Sequence, residues 1–163
     1  MSSPPGGWLN AEQQRAWLAF MRLQLRMTYE MNRQLQADSA MSFADYHVLN
    51  ALAGASGGTM SVTALAAQIG WERSRASHHA KRMAARGLVE MTLAARDRRV
   101  TEVSLTAAGR DVLSGAAPGH VELVRRLFFD GLDPEVVQRL AESLETVYEN
   151  VLDRGSLGRP PIG

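Results

Sequence analysis

Apolar positions along this chain recur with two different periods, and the switches between them mark out the elements. Between Trp8 and Ala37, Trp17, Phe20, Met21, Gln24, Met27, Met31 and Leu35 follow one another at three- and four-residue steps, with Arg15, Arg22, Arg26 and Arg33 largely off that stripe. This spacing predicts one long helix that needs something to pack against. Ser42 and Asp45 have the spacing of a capping box, so a second helix starts at Phe43, turns Val48, Leu49 and Leu52 inward, and ends near Ala53 ahead of Gly54 to Gly58. Ser61 caps a short third helix built on Val62, Leu65, Ala66 and Ile69, and Gly70 stops it. A fourth helix runs from about Glu72 to Arg86, with Gly87 placed to take the left-handed conformation past its end.

The period then drops to two. Leu88 to Leu93 and Val100 to Leu105 are short β-compatible runs, and in the second Thr101, Val103 and Leu105 alternate with Val100, Glu102 and Ser104. They predict a hairpin with Ala94 to Arg99 at its tip. Helical spacing returns after Thr106, a cap for a helix that continues toward Phe129. Pro118 removes a backbone donor and crowds the preceding turn, so a kink or break is expected between Ala116 and Gly119. Asp133 and Pro134 open a last helix carrying Val136, Val137, Leu140, Leu144, Val147, Tyr148 and Val151 to about Asp153.

These elements describe a mainly α protein with a small β-hairpin wing. Two short helices across a glycine turn, followed by a hairpin, suggest a winged helix-turn-helix over residues 43–105. Residues 8–37 and 107–153 form helices on either side of it, and their one-sided apolar faces are best explained by pairing with a second copy of the chain. Residues 1–7 and 155–163, rich in Pro and Gly, read as disordered tails.

The fourth helix divides by face. Ala76, His79, Ala80 and Met83 fall on one side; Arg73, Ser77 and Lys81 form one outward row and Ser74, His78 and Arg82 the next. Serine between cations suits a helix in the major groove of DNA: the short hydroxyl does not hold the helix away, while Arg or Lys reaches base edges and phosphates. A solvated basic face is the plain alternative. The hairpin tip carries Arg96, Arg98 and Arg99, which can enter a narrow minor groove, and Asp97, which can brace a neighbouring arginine.

The run from Ser74 to Gly109 resembles the winged helix-turn-helix signature of the MarR family of bacterial transcriptional regulators. The landmarks are Ser74-Arg75, Arg82-Met83, Arg86-Gly87-Leu88-Val89, Asp97-Arg98-Arg99 and Val103-Ser104-Leu105-Thr106 with Gly109. The resemblance implies a homodimer that binds double-stranded DNA, with a recognition helix in each of two successive major grooves and wing arginines in the flanking minor grooves. It places Arg73, Ser74, Ser77, His78 and Arg82 of the helix and Arg99 of the wing on DNA, and Arg75, Lys81, Arg96 and Arg98 are grouped with them. It also implies a ligand-responsive repressor on a pseudo-palindromic operator, with the long first helix as dimer interface and one wall of an effector cavity. Met27, Met31, Tyr46 and His47 are the candidate contacts for a small aromatic or amphipathic effector.

Composition narrows the remaining choices. The chain has 163 residues, 45% of them hydrophobic, and a net charge of only +1. That charge is unevenly placed: residues 71–110 hold nine Lys or Arg against four Asp or Glu. A basic patch on a mildly acidic body attracts phosphate locally. With no cysteine there is no disulfide, thiolate metal site or thiol oxidation sensor. No apolar run approaches the length of about 20 residues that spans a bilayer, and the first residues lack a signal-peptide pattern, so a cytoplasmic protein with no membrane partner is expected.

A metal-responsive regulator of the same fold is a second reading, resting on His47 and His120. Zinc-responsive relatives carry a Glu-His pair on the second helix and two His a turn apart on the later one; here the pair is Tyr46-His47, and Val124 follows His120 by a turn. His47 has three readings, as a pocket hydrogen-bonding group, a metal ligand or a satisfied half-buried histidine. A winged domain used only for protein contact would carry aromatic or aliphatic residues where the fourth helix has Arg73, Ser74, Ser77, His78 and Lys81. Neither a phosphate loop, an activated Ser/His/Asp set, an HExxH nor a convincing carboxylate pair supports an enzyme or a bound cofactor.

Overall fold

The computed structural model describes residues 8–161. Helix α1 spans Ala11–Ser39 and opens on a capping box: Asn10 Oδ1 accepts from Gln13 N at 2.8 Å while Gln13 Oε1 accepts from Asn10 N at 3.0 Å. The helix therefore starts three residues after Trp8, whose side chain is exposed before it. Helix α2 spans Phe43–Gly54 with the expected box between Ser42 and Asp45. Strand β1, Thr59–Ser61, precedes α3, Val62–Ile69, and α4, Arg73–Ala85. Strands β2, Val89–Leu93, and β3, Thr101–Leu105, form the wing; α5 covers Ala107–Val124 and α6 Pro134–Arg154.

The hairpin is part of a three-stranded antiparallel sheet in the order β1-β3-β2, so the expectation of two strands was short by one. Met60 and Met91 both pair with Val103, which is fully buried at the centre of the sheet. Strand β1 was hidden because it is only three residues long and pairs with β3 across a separation of 45 residues in the Thr59 to Ser104 hydroxyl contact at 2.8 Å. Gly87, at φ 75, turns the chain from α4 into β2 as the sequence indicated.

The core lies where α2, α3 and α4 meet the sheet. Val48, Leu49, Leu52, Leu65, Met83 and Val103 are fully buried there, and Leu35 brings the end of α1 into the same cluster. Thr106 caps α5, accepting from Gly109 N at 3.0 Å. Gly109 has no room for a side chain, because a Cβ there would stand 2.0 Å from Leu88 O.

Of the kink or break expected between Ala116 and Gly119, no break forms: α5 is continuous through Pro118. Both Pro118 and Ser114, whose carbonyl loses its helical partner, face solvent, so water can take the freed acceptor. Gly119 then lets α5 close on α1, where a Cβ would meet Asp38 Oδ2 at 2.6 Å and Gln34 Nε2 at 3.0 Å. The irregularity comes later, as a wide π turn over Arg125–Phe129 closed by Asp130 N donating to Arg125 O at 2.9 Å. Asp133 precedes Pro134 in the first helical position of α6 as expected, but its side chain makes no capping bond. Residues 155–161 form neither helix nor strand; Arg159 donates to Glu149 at 3.0 Å and also to Asp153, folding this part of the expected tail back along α6. Residues 1–7 and 162–163, also read as tail, lie outside the described residues.

Candidate nucleic-acid interface

Helix α4 is held by its small face. Ala76, His79, Ala80 and Met83 are its buried residues, and the two alanines let the backbone approach the core. Gly70, at φ 69, makes the turn from α3, and Trp71 N donates back to Ala66 O at 2.9 Å, seating the indole against the core. Arg73, Ser74, His78 and Lys81 are exposed and Ser77 is half-buried, as the division by face required. His78 and His79 point apart, one to solvent and one inward, because neighbours on a helix diverge by about 100°.

Two of the sequence candidates lean back on the protein. The Arg75 guanidinium sits 4.1 Å over the Trp71 ring, and Arg82 Nη2 lies 2.8 Å from His79 Nδ1. His79 Nε2 donates in turn to Asp45 Oδ1 at 2.9 Å, and Arg86 Nη1 donates to Asp45 Oδ2 at 2.8 Å. Burial alone would raise the Asp45 carboxyl. The bonds from His79, Arg86 and Ser42 N–H, with the Arg86 charge, outweigh it and hold the group well below the ordinary carboxylate range. This network ties the start of α2 to α4 and to the residue that ends it, Arg86. Sequence reasoning gave Asp45 only its capping role and His79 only a packing role, since the pairing joins residues 34 and 41 positions apart.

The wing tip is a closed turn. Ala94 N donates to Val100 O and Val100 N to Asp97 O, each at 2.9 Å. Asp97 accepts from Arg99 N and Nε at 3.0 Å and from Nη2 at 3.2 Å, so the neighbouring arginine it braces is Arg99. Those bonds from Arg99 lower the Asp97 carboxyl. The Arg99 side chain is still 91% exposed, and Arg96 and Arg98 are exposed beside it.

On α2, Tyr46 and His47 meet Phe43 of the same helix and His120 of α5. The Phe43 and His47 rings are 4.1 Å apart and those of Tyr46 and His120 4.5 Å. His120 is buried, and among the described residues its Nδ1 has no hydrogen-bond partner; nor has Gln34 Oε1 on α1. Burial raises the Tyr46 hydroxyl and lowers both imidazoles, His47 further through the charges of Arg75 and His120. His47 also lines an open cleft of about 560 Å³ with Asn50, Ala51, Ile69, Tyr148 and Leu152. Met27 and Met31 are half-buried on α1, two turns and one turn before Leu35. Among the described residues no three His, Asp or Glu side chains converge on a point that could hold a metal ion, and no helix is long and apolar enough to cross a membrane.

A MarR family model matches residues 41–100, from just before α2 through the wing tip. Among solved structures, the chain is similar to Sco3205, a MarR family transcriptional regulator from Streptomyces coelicolor in complex with DNA. The two are 34% identical over 93% of this chain and 99% of that one, with a TM-score of 0.86. AbsC, another MarR family transcriptional regulator from Streptomyces coelicolor, is 31% identical over 90% and 98%, with a TM-score of 0.82. The organohalide-sensing regulator RdhR in its 2,4-dichlorophenol-bound form shares the fold at 16% identity, over 100% of this chain and 99% of that one, with a TM-score of 0.78. No curated protein matches the chain.

Proposed function

This chain belongs to the MarR family of transcriptional regulators, and from that premise we propose that it is a repressor that binds a pseudo-palindromic operator as a homodimer. The observation that carries the reading is the face of α4: Arg73, Ser74, His78 and Lys81 stand exposed on a helix whose opposite side is locked into the core. Such a helix enters the major groove, where Arg and Lys reach guanine edges and serine reaches phosphate. The wing presents Arg96, Arg98 and Arg99 on a turn fixed by Asp97, suited to the adjoining minor groove. Bound over a promoter, the dimer blocks transcription by occupying the site.

The effector of this reading is a small aromatic molecule held among Phe43, Tyr46, His47 and His120. Two features support it: a cluster of tilted aromatic rings, and the buried Nδ1 of His120, which has no partner among the described residues and can accept a hydrogen bond from a hydroxyl. The site lies at the junction of α2 with α5, between the winged domain and the outer helices, so occupying it would alter the separation of two recognition helices in a dimer. The 2,4-dichlorophenol-bound state of a protein with the same fold makes phenols the first class to try.

Selection of bound duplexes from a randomised pool, followed by footprinting on the selected site, tests the reading. Two protected half-sites with centres about one duplex turn apart are expected. A protein that enriches no sequence, or protects one asymmetric patch, overturns it. For the effector, a phenol or benzoate that releases the DNA should lose its effect in His120→Phe while that variant still binds the selected duplex.

A further inference from the structure

Helical projection separates the outward residues of α4 into three groups. Ser74, His78 and Lys81 lie around the pole opposite the buried row, Arg73 and Ser77 on one flank, and Arg75 and Arg82 on the other. A helix lying in a groove presents its pole to base edges and its flanks to the phosphates of the walls. Arg82 therefore occupies a phosphate-facing flank, and its guanidinium is attached to the protein at one atom, by Nη2 to His79 Nδ1 at 2.8 Å.

That bond fixes the state of the imidazole. A guanidinium offers only donors, so Nδ1 is the bare, accepting nitrogen; a carboxylate offers only acceptors, so Nε2 carries the hydrogen that goes to Asp45 Oδ1 at 2.9 Å. Asp45 is anchored independently by Arg86 and by Ser42 N, and Arg86 also reaches Ala40 O at 3.3 Å. His79 is buried and stands edge-on to Trp71, with ring centroids 5.3 Å apart, so the ring itself cannot swing freely. The result is a rigid line from a buried carboxylate through a buried imidazole to an exposed guanidinium.

We propose that His79 is a positioning residue for DNA binding: held by Asp45, it presents its lone pair to Arg82 and fixes the guanidinium so that its remaining N–H groups face a backbone phosphate beside the groove. An unsupported arginine on the surface must lose its rotamer freedom when it binds phosphate, whereas one already tethered loses less. The gain belongs to Arg82 and exists only through His79. This rests on the DNA-binding reading above and adds to it a residue that does not touch DNA.

A double-mutant cycle on a non-specific duplex, poly(dA-dT), tests the proposal without knowledge of the operator, because phosphate contacts act on any sequence. Arg82→Ala should weaken binding roughly tenfold and lower the salt slope by about one unit, the loss of one charge-assisted phosphate contact. His79→Phe should weaken binding by about threefold in the wild-type background and by nothing further in Arg82→Ala. An equal loss in both backgrounds would show a structural role only and would overturn the proposal; so would an Arg82→Ala variant that binds as the wild type does. Should His79→Phe not fold, nitrogen NMR of the full-length protein decides instead. A bare Nδ1 on His79, whose resonance moves on Arg82→Ala, supports the arrangement, and a hydrogen on Nδ1 overturns it. Wild-type protein that binds no duplex at all removes the DNA reading itself, a result distinct from either failure.

Discussion

Asp45 shows how one residue comes to serve two ends. Its position three residues after Ser42 makes it half of a capping box, and the fold then directs the same carboxylate at His79 and Arg86. A carboxyl held below its ordinary value of 3.8 contributes stability that is fully present above that value and is lost as pH falls through the lower folded value. Asp45→Asn should therefore lower the midpoint of thermal unfolding at neutral pH and flatten the acid limb of the stability profile below about pH 4, measured by circular dichroism. An unchanged acid limb would show that the carboxylate is not held by its partners. Gly109 is fixed by space alone. Gly109→Ala sets a methyl against Leu88 O, and overpacking of this kind costs about 1–3 kcal/mol. In a chain of this size that corresponds to a midpoint lower by roughly 2–4 °C per kcal/mol.

The elements divide by how local their causes are. Helices α1, α2, α3 and α5 begin where a side-chain cap lies within three residues, and each of those caps is bonded in the structure. The caps at Ser42, Ser61 and Thr106 were legible in the sequence, while the Asn10 cap was not: apolar spacing alone started α1 at Trp8, three residues before Ala11. The expected interruption of α5 is the clearest departure: a proline on the solvent side can sit in a continuous helix when water takes the orphaned carbonyl. Pro118→Ala should then restore a backbone bond and raise the unfolding midpoint, by an amount below the roughly 3 kcal/mol that separates proline from alanine in a helix interior. A lower midpoint would mean the ring itself is needed. In the wing, Arg99→Ala should reduce the salt slope of DNA binding by about one unit, since Asp97 holds that side chain out in solvent. Identical slopes across a salt titration would remove Arg99 from the interface.

At the scale of the whole molecule, the outer helices are too apolar for the contacts they make within one chain. Helix α6 has no buried residue, and Val147, Tyr148 and Val151 are 58%, 50% and 59% exposed; on α1, Trp17 and Phe20 are exposed as well. Exposed apolar faces of this extent mark association surfaces. Light scattering should give twice the chain mass of 17.8 kDa, and Val147→Glu combined with Val151→Glu should shift it toward the single-chain value while the winged domain keeps its helical signal. A double variant of unchanged mass would place the interface elsewhere.

What the sequence determined is what short-range physics determines: hydrophobic period, caps within three residues, a left-handed glycine after α4, and a helix with one small face and one basic face. The pairing of Asp45 with His79 and Arg86, the seat of Arg82 on His79, the approach of His120 to Tyr46 and the addition of β1 to β3 were decided only by tertiary structure. Most of these contacts join residues dozens of positions apart, and the Arg82 seat, though local in sequence, depends on a ring that Asp45 holds in place. No periodicity encodes which distant groups the packed core will bring within hydrogen-bonding distance, because that depends on how several elements fill one volume together.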